Sequence, residues 1–419
     1  MAGVSTPASE GALTSLIRDH CAGIPSPRVV SAGHRAMPTR LLALLDATVP
    51  EYRLNMLNAS PGIPTREGVV HETSFVGAGM RSSANLAYVP ARLSLVPTLF
   101  SRTLLPDVVL VQTSAPVNGS VSLGTEVNVL PAAIEAARDR GALVLAQVNE
   151  RMPYTFGDGE YDLEDFDGWI EGFDVVAHEA PVVPAGERSS SAATIGAYCA
   201  SRVSSGATLQ LGIGEVPDAT LSGLVGLRGL GLWTEMFSDG VLALLSAGAL
   251  DQDRVISSSF AVGTPELLEW MHLNPQVRML RTETINAPAN IAKQPGMPSI
   301  NTAMQVDLFA QANASRRNAR IHSGFGGQTD FIVGALHAPG GQAIMALRSW
   351  HPKADVSTVV PLVDEPVTSF QASAIITEQG IAEISGRTEK DQARAIIEQA
   401  AHPSVREELW EEAGHLGLA

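Results

Sequence analysis

Three segments carry residue types and spacings that could do chemistry. Glu235 sits in GLGLWTEMFSDG, at the end of an apolar run and just before a polar turn. A carboxylate at the carboxyl end of a sheet strand lies where open α/β sheets bind ligands. There it can serve as a base, a metal ligand or a nucleophile, with a buried ion pair as the structural alternative. No His/Asp cluster near it offers a metal set, so no metal is expected. Gly324-Phe325-Gly326-Gly327, within HSGFGGQTDFIVGAL, lies between an extended segment and a helix. Adjacent glycine N–H groups at such a turn can form an oxyanion hole, whereas a plain turn would need fewer glycines. Gly212-Ile213-Gly214 follows an apolar strand and precedes a helix. Small residues there admit a ligand to the backbone, and the helix start offers unpaired N–H groups to an anion. A dinucleotide fingerprint would need glycine where Pro217 stands, which argues against a nicotinamide site and leaves a tight strand-to-helix turn as the plainer alternative.

The elements that must position these residues follow an alternating pattern. Arg28-Val29-Val30 leads into Gly33, and Pro38 opens a helix over LLALLDATV. YRLNMLN at 52–58, DVVLVQT at 107–113 and ALVLAQVN at 142–149 read as strands, and LPAAIEAARDRG at 130–141 as a helix. Continuous apolar strands separated by helices imply a parallel sheet covered on both faces. PVVPAGERSSS at 181–191 interrupts the rhythm, which predicts a domain boundary near 185 and domains 1–185 and 186–419. The second half restarts with a helix over 190–204 and a strand ATLQLGIG at 207–214, then a helix opened by Pro217. SAGHRAMPTRLLALL and QLGIGEVPDATLSGLV each place a proline at a helix start, five residues after a glycine. Two similar open α/β domains are therefore expected.

Composition narrows the function classes. The 419 residues are 45% hydrophobic and 17% charged, as in a globular protein with sizeable cores. A formal net charge of -16 argues against general binding to nucleic acid or anionic membrane. Lysine occurs only at Lys293, Lys353 and Lys390, so a polyanionic ligand needs a locally built site. Cys21 and Cys199 are far apart in sequence and indicate neither a metal site nor a disulfide framework. The N-terminal residues lack the pattern of a signal peptide, and no apolar run reaches the roughly 20 residues of a membrane span. A cytoplasmic protein is expected.

Taken in order, TLQLGIGEVPDAT, LWTEMFSDGVLALLSAGAL, HSGFGGQTDFIVGAL and IITEQGIAEISGRT resemble the signature blocks of the acetyl-CoA hydrolase/transferase family, which includes 4-hydroxybutyrate and butyryl CoA-transferases. VQTSAPVNGSVSLG, QVNERMPYTFG and AAHPSVREELWEEA extend the resemblance over nearly the whole chain. The resemblance implies a CoA-transferase fold with the active site in an interdomain cleft and Glu235 as catalytic residue. It also implies Gly326 and Gly327 as oxyanion and CoA contacts, with Asp330 close behind. By the same resemblance, the segment Gln210, Leu211, Gly212, Ile213, Gly214 is a CoA-contacting loop, while Lys353 and Asn301 stand near family positions that bind CoA and position the thioester. Trp233 departs from the family's histidine before the Thr-Glu pair, which puts acyl preference in doubt.

The implied reaction moves CoA from a short-chain acyl-CoA to a small carboxylic acid through a glutamyl-CoA thioester. Coenzyme A is then a substrate, and no tightly bound cofactor is expected. Acyl-pocket walls are expected from Gly33 to Pro38, HETSFVGAG, Ser114 to Pro116 and Asn149 to Pro153, in a homo-oligomer. The rival readings are an acyl-CoA hydrolase using the same Glu235 and a non-catalytic CoA-sensing protein.

Overall fold

A computed structural model of the chain describes residues 6–178, 190–210, 212 and 214–419. The chain forms two compact units, Met1–Ala180 with Ile256–Ile285, and Pro181–Val255 with Asn286–Ala419. The boundary expected near 185 lies outside the described residues.

Seven strands build the sheet of the first unit: β1 (Arg28–Ser31), β2 (Tyr52–Asn55), β3 (Val69–Thr73), β4 (Leu86–Tyr88), β5 (Val108–Thr113), β6 (Leu143–Asn149) and β7 (Gly168–Gly172). Their order is β7-β6-β5-β1-β2-β3-β4, and every neighbouring pair is parallel. β5 and β6 are buried along their whole length. That is why they read as unbroken apolar runs: helices must cover both faces of a parallel sheet. Helix α1 (Glu10–Cys21) buries Leu13, Ile17 and Cys21, four residues apart, and the Ser9 hydroxyl caps it by accepting from the Ala12 N–H at 3.2 Å. Helix α2 (Thr39–Thr48) starts directly after Pro38 and buries Leu41, Leu42 and Leu45. Helix α3 (Leu130–Arg138) carries Pro131 in its first turn, where a missing N–H costs nothing.

In the second unit, β8 (Thr208–Leu209) runs parallel to β9 (Gly231–Phe237). A separate sheet orders β10 (Pro298–Asn301), β11 (Gln342–Ala346), β12 (Ala374–Thr377) and β13 (Gly380–Glu383), the last pair antiparallel. Helix α4 (Ser190–Ser201) sets Ile195 and Cys199 against Ile344, Ala346, Ala374 and Ile376. Its Gly196 allows helix α5 (Glu215–Leu224) to cross closely, because a Cβ there would press into Ala219 and Thr220. The strand expected over 207–214 stops at Leu209: the Gln210 side chain turns to accept the Ile300 N–H at 3.0 Å, so a side chain takes over from the ladder. Helix α6 (Gln328–His337) has Gly327 as its N-cap.

In the first unit the chain moves outward from β1 to β4 and returns to β5 on the other side of β1. Strand order reverses there, and in open α/β sheets the ligand crevice opens beyond the strand ends at such a point. The segments leaving β1 and β5, Gly33 to Pro38 and Ser114 to Pro116, are the ones expected to line an acyl pocket. Beside them is a group the sequence did not reveal. Glu126 is buried, and its Oε1 accepts from the Gly33 N–H and the Asn128 amide, each at 3.1 Å. Its other oxygen is buried without a partner among the described residues. Residue 33 must be glycine because a Cβ would overlap the Leu57 carbonyl, and His34 follows with φ 49°. Desolvation pushes the Glu126 carboxyl up to about 7, against the opposing pull of the Asn128 and Gly33 donors. A carboxyl raised from 4.5 in this way stabilises the fold fully below about pH 4.5 and loses that contribution as pH rises through about 7. Glu126→Gln keeps an acceptor oxygen but removes the ionisation. Its melting temperature relative to wild type should therefore climb between pH 5 and 8, as read by thermal denaturation; a pH-independent difference would contradict the burial argument.

Candidate active site

Strand β9 reads GLWTEMF, and its alternation decides which side chains reach the site. Thr234, Met236 and Phe237 are buried, whereas Trp233 and Glu235 are half-buried on the same face. The Thr234 hydroxyl donates to the Met236 carbonyl at 2.7 Å, spanning the backbone on either side of Glu235. Glu235 thus lies within the strand, two residues before its end, and Trp233 shares its face.

Two donors from distant parts of the sequence meet the Glu235 carboxylate. Asn286 Nδ2 donates to Oε2 at 2.6 Å, and the Gly327 N–H donates to the carboxylate as well. Asn286 is fully buried, and its own Oδ1 has no partner among the described residues. Gly327 precedes α6, whose positive N-terminal end favours an anion, while Asp330 lies buried in the helix's first turn and opposes it. Desolvation is the largest influence and, with Asp330, outweighs the Asn286 and Gly327 hydrogen bonds, so the carboxyl is pushed up to about 7. The residue as a whole is half-buried, yet its carboxyl is surrounded by enough protein to lose much of its hydration. Such a carboxylate is held in place without being strongly stabilised, a condition that suits a nucleophile or a base.

Gly326 and Gly327 serve different geometric needs. Gly326 has φ 55°, the left-handed region that glycine enters without strain. Gly327 has φ -93°, open to any residue, but a Cβ there would overlap both the Glu235 carboxylate and the Asn286 amide.

The remaining sequence-derived residues fall elsewhere in the same unit. Gln210 is committed to the Ile300 N–H, and Asn301 donates to Ser299 Oγ at 2.8 Å. The amide on Glu235 belongs instead to Asn286, which the sequence did not single out. It lies 51 positions from Glu235, before Ala-Pro, where it reads as punctuation between helices. Gly214 (φ 118°) and Lys353 both line a cavity of about 450 Å3 with Glu215, Arg348, Trp350 and His351. Arg348 is ion-paired with Glu215 at the start of α5. Gly212 packs against the Pro217 ring, while Leu211 and Ile213 lie outside the described residues. Among the described residues no group of three His, Cys, Asp or Glu could hold a metal ion, and no helix is long and apolar enough to cross a membrane.

Gly327→Ala isolates the close approach. Because the backbone there suits alanine, its cost should be steric, on the order of 1–3 kcal/mol as for other overpacked sites. Urea unfolding should show that loss, and a crystal structure should show the Glu235 carboxylate displaced. An unmoved carboxylate at full stability would refute the constraint.

Comparisons with known proteins place the chain in a family. The N-terminal domain of the acetyl-CoA hydrolase/transferase family matches residues 30–184, and its C-terminal domain matches residues 263–413. The 4-hydroxybutyrate coenzyme A transferase of Clostridium kluyveri is 36% identical over 409 residues, covering 92% of this chain and 93% of that protein. Among solved structures, RipA from Yersinia pestis superimposes with a TM-score of 0.87 at 26% identity, covering 98% of this chain and 100% of its own. The 4-hydroxybutyrate CoA-transferase from Porphyromonas gingivalis gives 0.78 at 28% identity, with 96% and 97% covered. The two family domains fall in order along one chain and are supported by a relative of nearly equal extent, so this protein belongs to the acetyl-CoA hydrolase/transferase family.

Proposed function

We propose that this protein moves CoA from a short-chain acyl-CoA to a small carboxylate, with Glu235 as the nucleophile. The observation that carries this reading is the Glu235 carboxylate, held on a half-buried residue by the Asn286 amide and the Gly327 N–H. The activities named for its relatives, 4-hydroxybutyrate CoA transfer among them, support it.

CoA transfer between acids is close to thermoneutral, so the enzyme has to conserve the thioester's energy. A Glu235 oxygen attacks the acyl-CoA carbonyl, the C–S bond breaks, and CoA leaves as thiolate from a mixed anhydride. The thiolate then attacks the glutamyl carbonyl and releases the first carboxylate, leaving Glu235 as a CoA thioester. The acceptor carboxylate attacks that thioester, and the two steps run in reverse. Covalent catalysis divides one hard exchange into easier ones. Each tetrahedral intermediate puts negative charge on an oxygen, for which the Asn286 amide and the N–H groups at Gly326 and Gly327 are the available donors. Asp330 keeps the local potential from overstabilising the resting carboxylate. In this reading Gln210, Gly212, Gly214, Asn301 and Lys353 help seat the CoA arm, and Trp233 borders the acyl group.

Two measurements test the nucleophile. Incubation with acyl-CoA alone should add the mass of CoA less one water to the peptide containing Glu235, and Glu235→Ala should abolish exchange. Glu235→Asp, displacing the oxygen by about 1 Å, should cost on the order of a hundredfold. Since the raised carboxyl must ionise before attack, kcat/KM for acyl-CoA should rise about tenfold per pH unit below about 7 and level off above it. An adduct on another carboxylate, or a flat profile from pH 5 to 8, would overturn the assignment. Steady release of free CoA, with no exchange in any donor–acceptor pairing, would identify a hydrolase instead.

A further inference from the structure

The cationic groups of this acidic chain are not spread evenly over the second unit. Residues 315–323, SRRNARIHS, form a hairpin whose strands Arg316–Arg317 and Arg320–Ile321 pair antiparallel. Register places Arg317 directly opposite Arg320, so both guanidinium groups stand on one face. Like charges in that position repel, and neither side chain is ion-paired among the described residues. The turn adds strain of its own: Asn318 and Ala319 have φ of 51° and 60°, and alanine disfavours that region. The tip is nevertheless held, because the Ala319 N–H donates to both oxygens of Glu365 at 2.9 Å and Arg316 Nη1 donates to the Ala319 carbonyl at 3.0 Å. Both arginines are exposed, so solvent screens much of their repulsion and leaves the two guanidinium groups open to an anionic ligand at a strained turn.

The hairpin also shapes a concavity. Arg317, Asn318, Arg320, Ile321 and His322 line a space of about 510 Å3 with no acidic side chain on its wall. Arg317 and Asn318 are shared with a neighbouring hollow of about 610 Å3, where Asp364 and Glu365 lie. That hollow in turn shares Met304, His351 and Thr358 with the Lys353 cavity at the start of α5. Shared lining residues thus link three hollows from the Gly214 turn past Lys353 to the paired arginines, with Asp364 and Glu365 in the middle one. Arg320 and Gly327 are seven positions apart in sequence, at most about 25 Å even if fully extended. The hairpin is therefore within reach of an extended ligand of about 25 Å or less whose reacting end lies at the glycine loop and whose negative charge lies at the other end.

We infer that the Arg317–Arg320 hairpin binds the phosphates at the nucleotide end of the acyl-CoA, so that the enzyme selects phosphorylated thioesters over bare pantetheine thioesters. The inference rests on the CoA-transfer reading and adds a subsite to it. Paired guanidinium groups suit phosphate because each offers parallel donors in a fixed fork.

The test uses the full-length Arg317→Gln/Arg320→Gln variant with two donors, acetyl-CoA and S-acetylpantetheine. KM for acetyl-CoA should rise about tenfold or more through the lost charge-assisted bonds, whereas kcat/KM for S-acetylpantetheine should stay unchanged. The melting temperature should hold or rise, since a repulsive pair is removed. By calorimetry, adenosine 3′,5′-bisphosphate should bind the wild type and not the variant. Equal losses with both donors, no loss with acetyl-CoA, or inorganic phosphate binding as tightly as the bisphosphate would each overturn the assignment. A wild type that neither exchanges nor hydrolyses acyl-CoA would end the transferase reading, and the bisphosphate titration would still decide the hairpin.

Discussion

The second unit is organised around the space occupied by one carboxylate. Asn286, Gly327 and Glu235 meet so closely that the room exists only because residue 327 has no side chain. Helix α6 follows directly, with the Gly327 N–H before its first residue on the carboxylate and Gly326 in the left-handed region preceding it. The fully buried Asp330 one turn into that helix then offsets part of the attraction. A stronger cradle would fix Glu235 as a passive anion, and a weaker one would leave it neutral and mobile. The balance, set chiefly by desolvation, brings its ionisation near neutral pH.

The first unit shows the same physics in a different setting. Its all-parallel sheet reverses strand order between β1 and β5, and the strand ends there deliver Gly33 and Ser114. Close backbone approach again demands a glycine, and a buried glutamate again accepts a glycine N–H and an asparagine amide. Glu126 and Glu235 share that donor pair and nearly the same raised ionisation, although Glu126 is a buried residue and Glu235 a half-buried one. The recurrence follows from chemistry rather than from sequence likeness. A recessed carboxyl needs donors that bring no bulk, and a glycine N–H and an asparagine amide meet that need.

Much of this was legible in the residues. Runs such as VVLVQT identified buried parallel strands because such strands meet helices on both faces, and Pro38 marked a helix start. Pro217, expected to open α5, lies instead at its third residue, still within the first turn where its missing N–H goes unpaired. Local rules failed where a side chain replaced a backbone partner. Gln210 ends its strand by bonding Ile300, and nothing in TLQLGIG states that a residue 90 positions away supplies the N–H. Likewise nothing in VSLGTEVNVL states that the chain buries Glu126 against the Gly33 N–H, 93 positions away.

The sequence by itself determined the α/β pattern and the family likeness, and it singled out Glu235, Gly326 and Gly327 as candidates, because these rest on periodicity and on short ordered blocks. Tertiary structure alone decided that Asn286, rather than Asn301, donates to Glu235, and that Ile256–Ile285 returns to the first unit. It also decided that Arg317 and Arg320 face each other across a turn. Hydrogen bonds and like-charge contacts act over a few ångströms in space, and a chain that folds back on itself does not preserve those distances in its numbering.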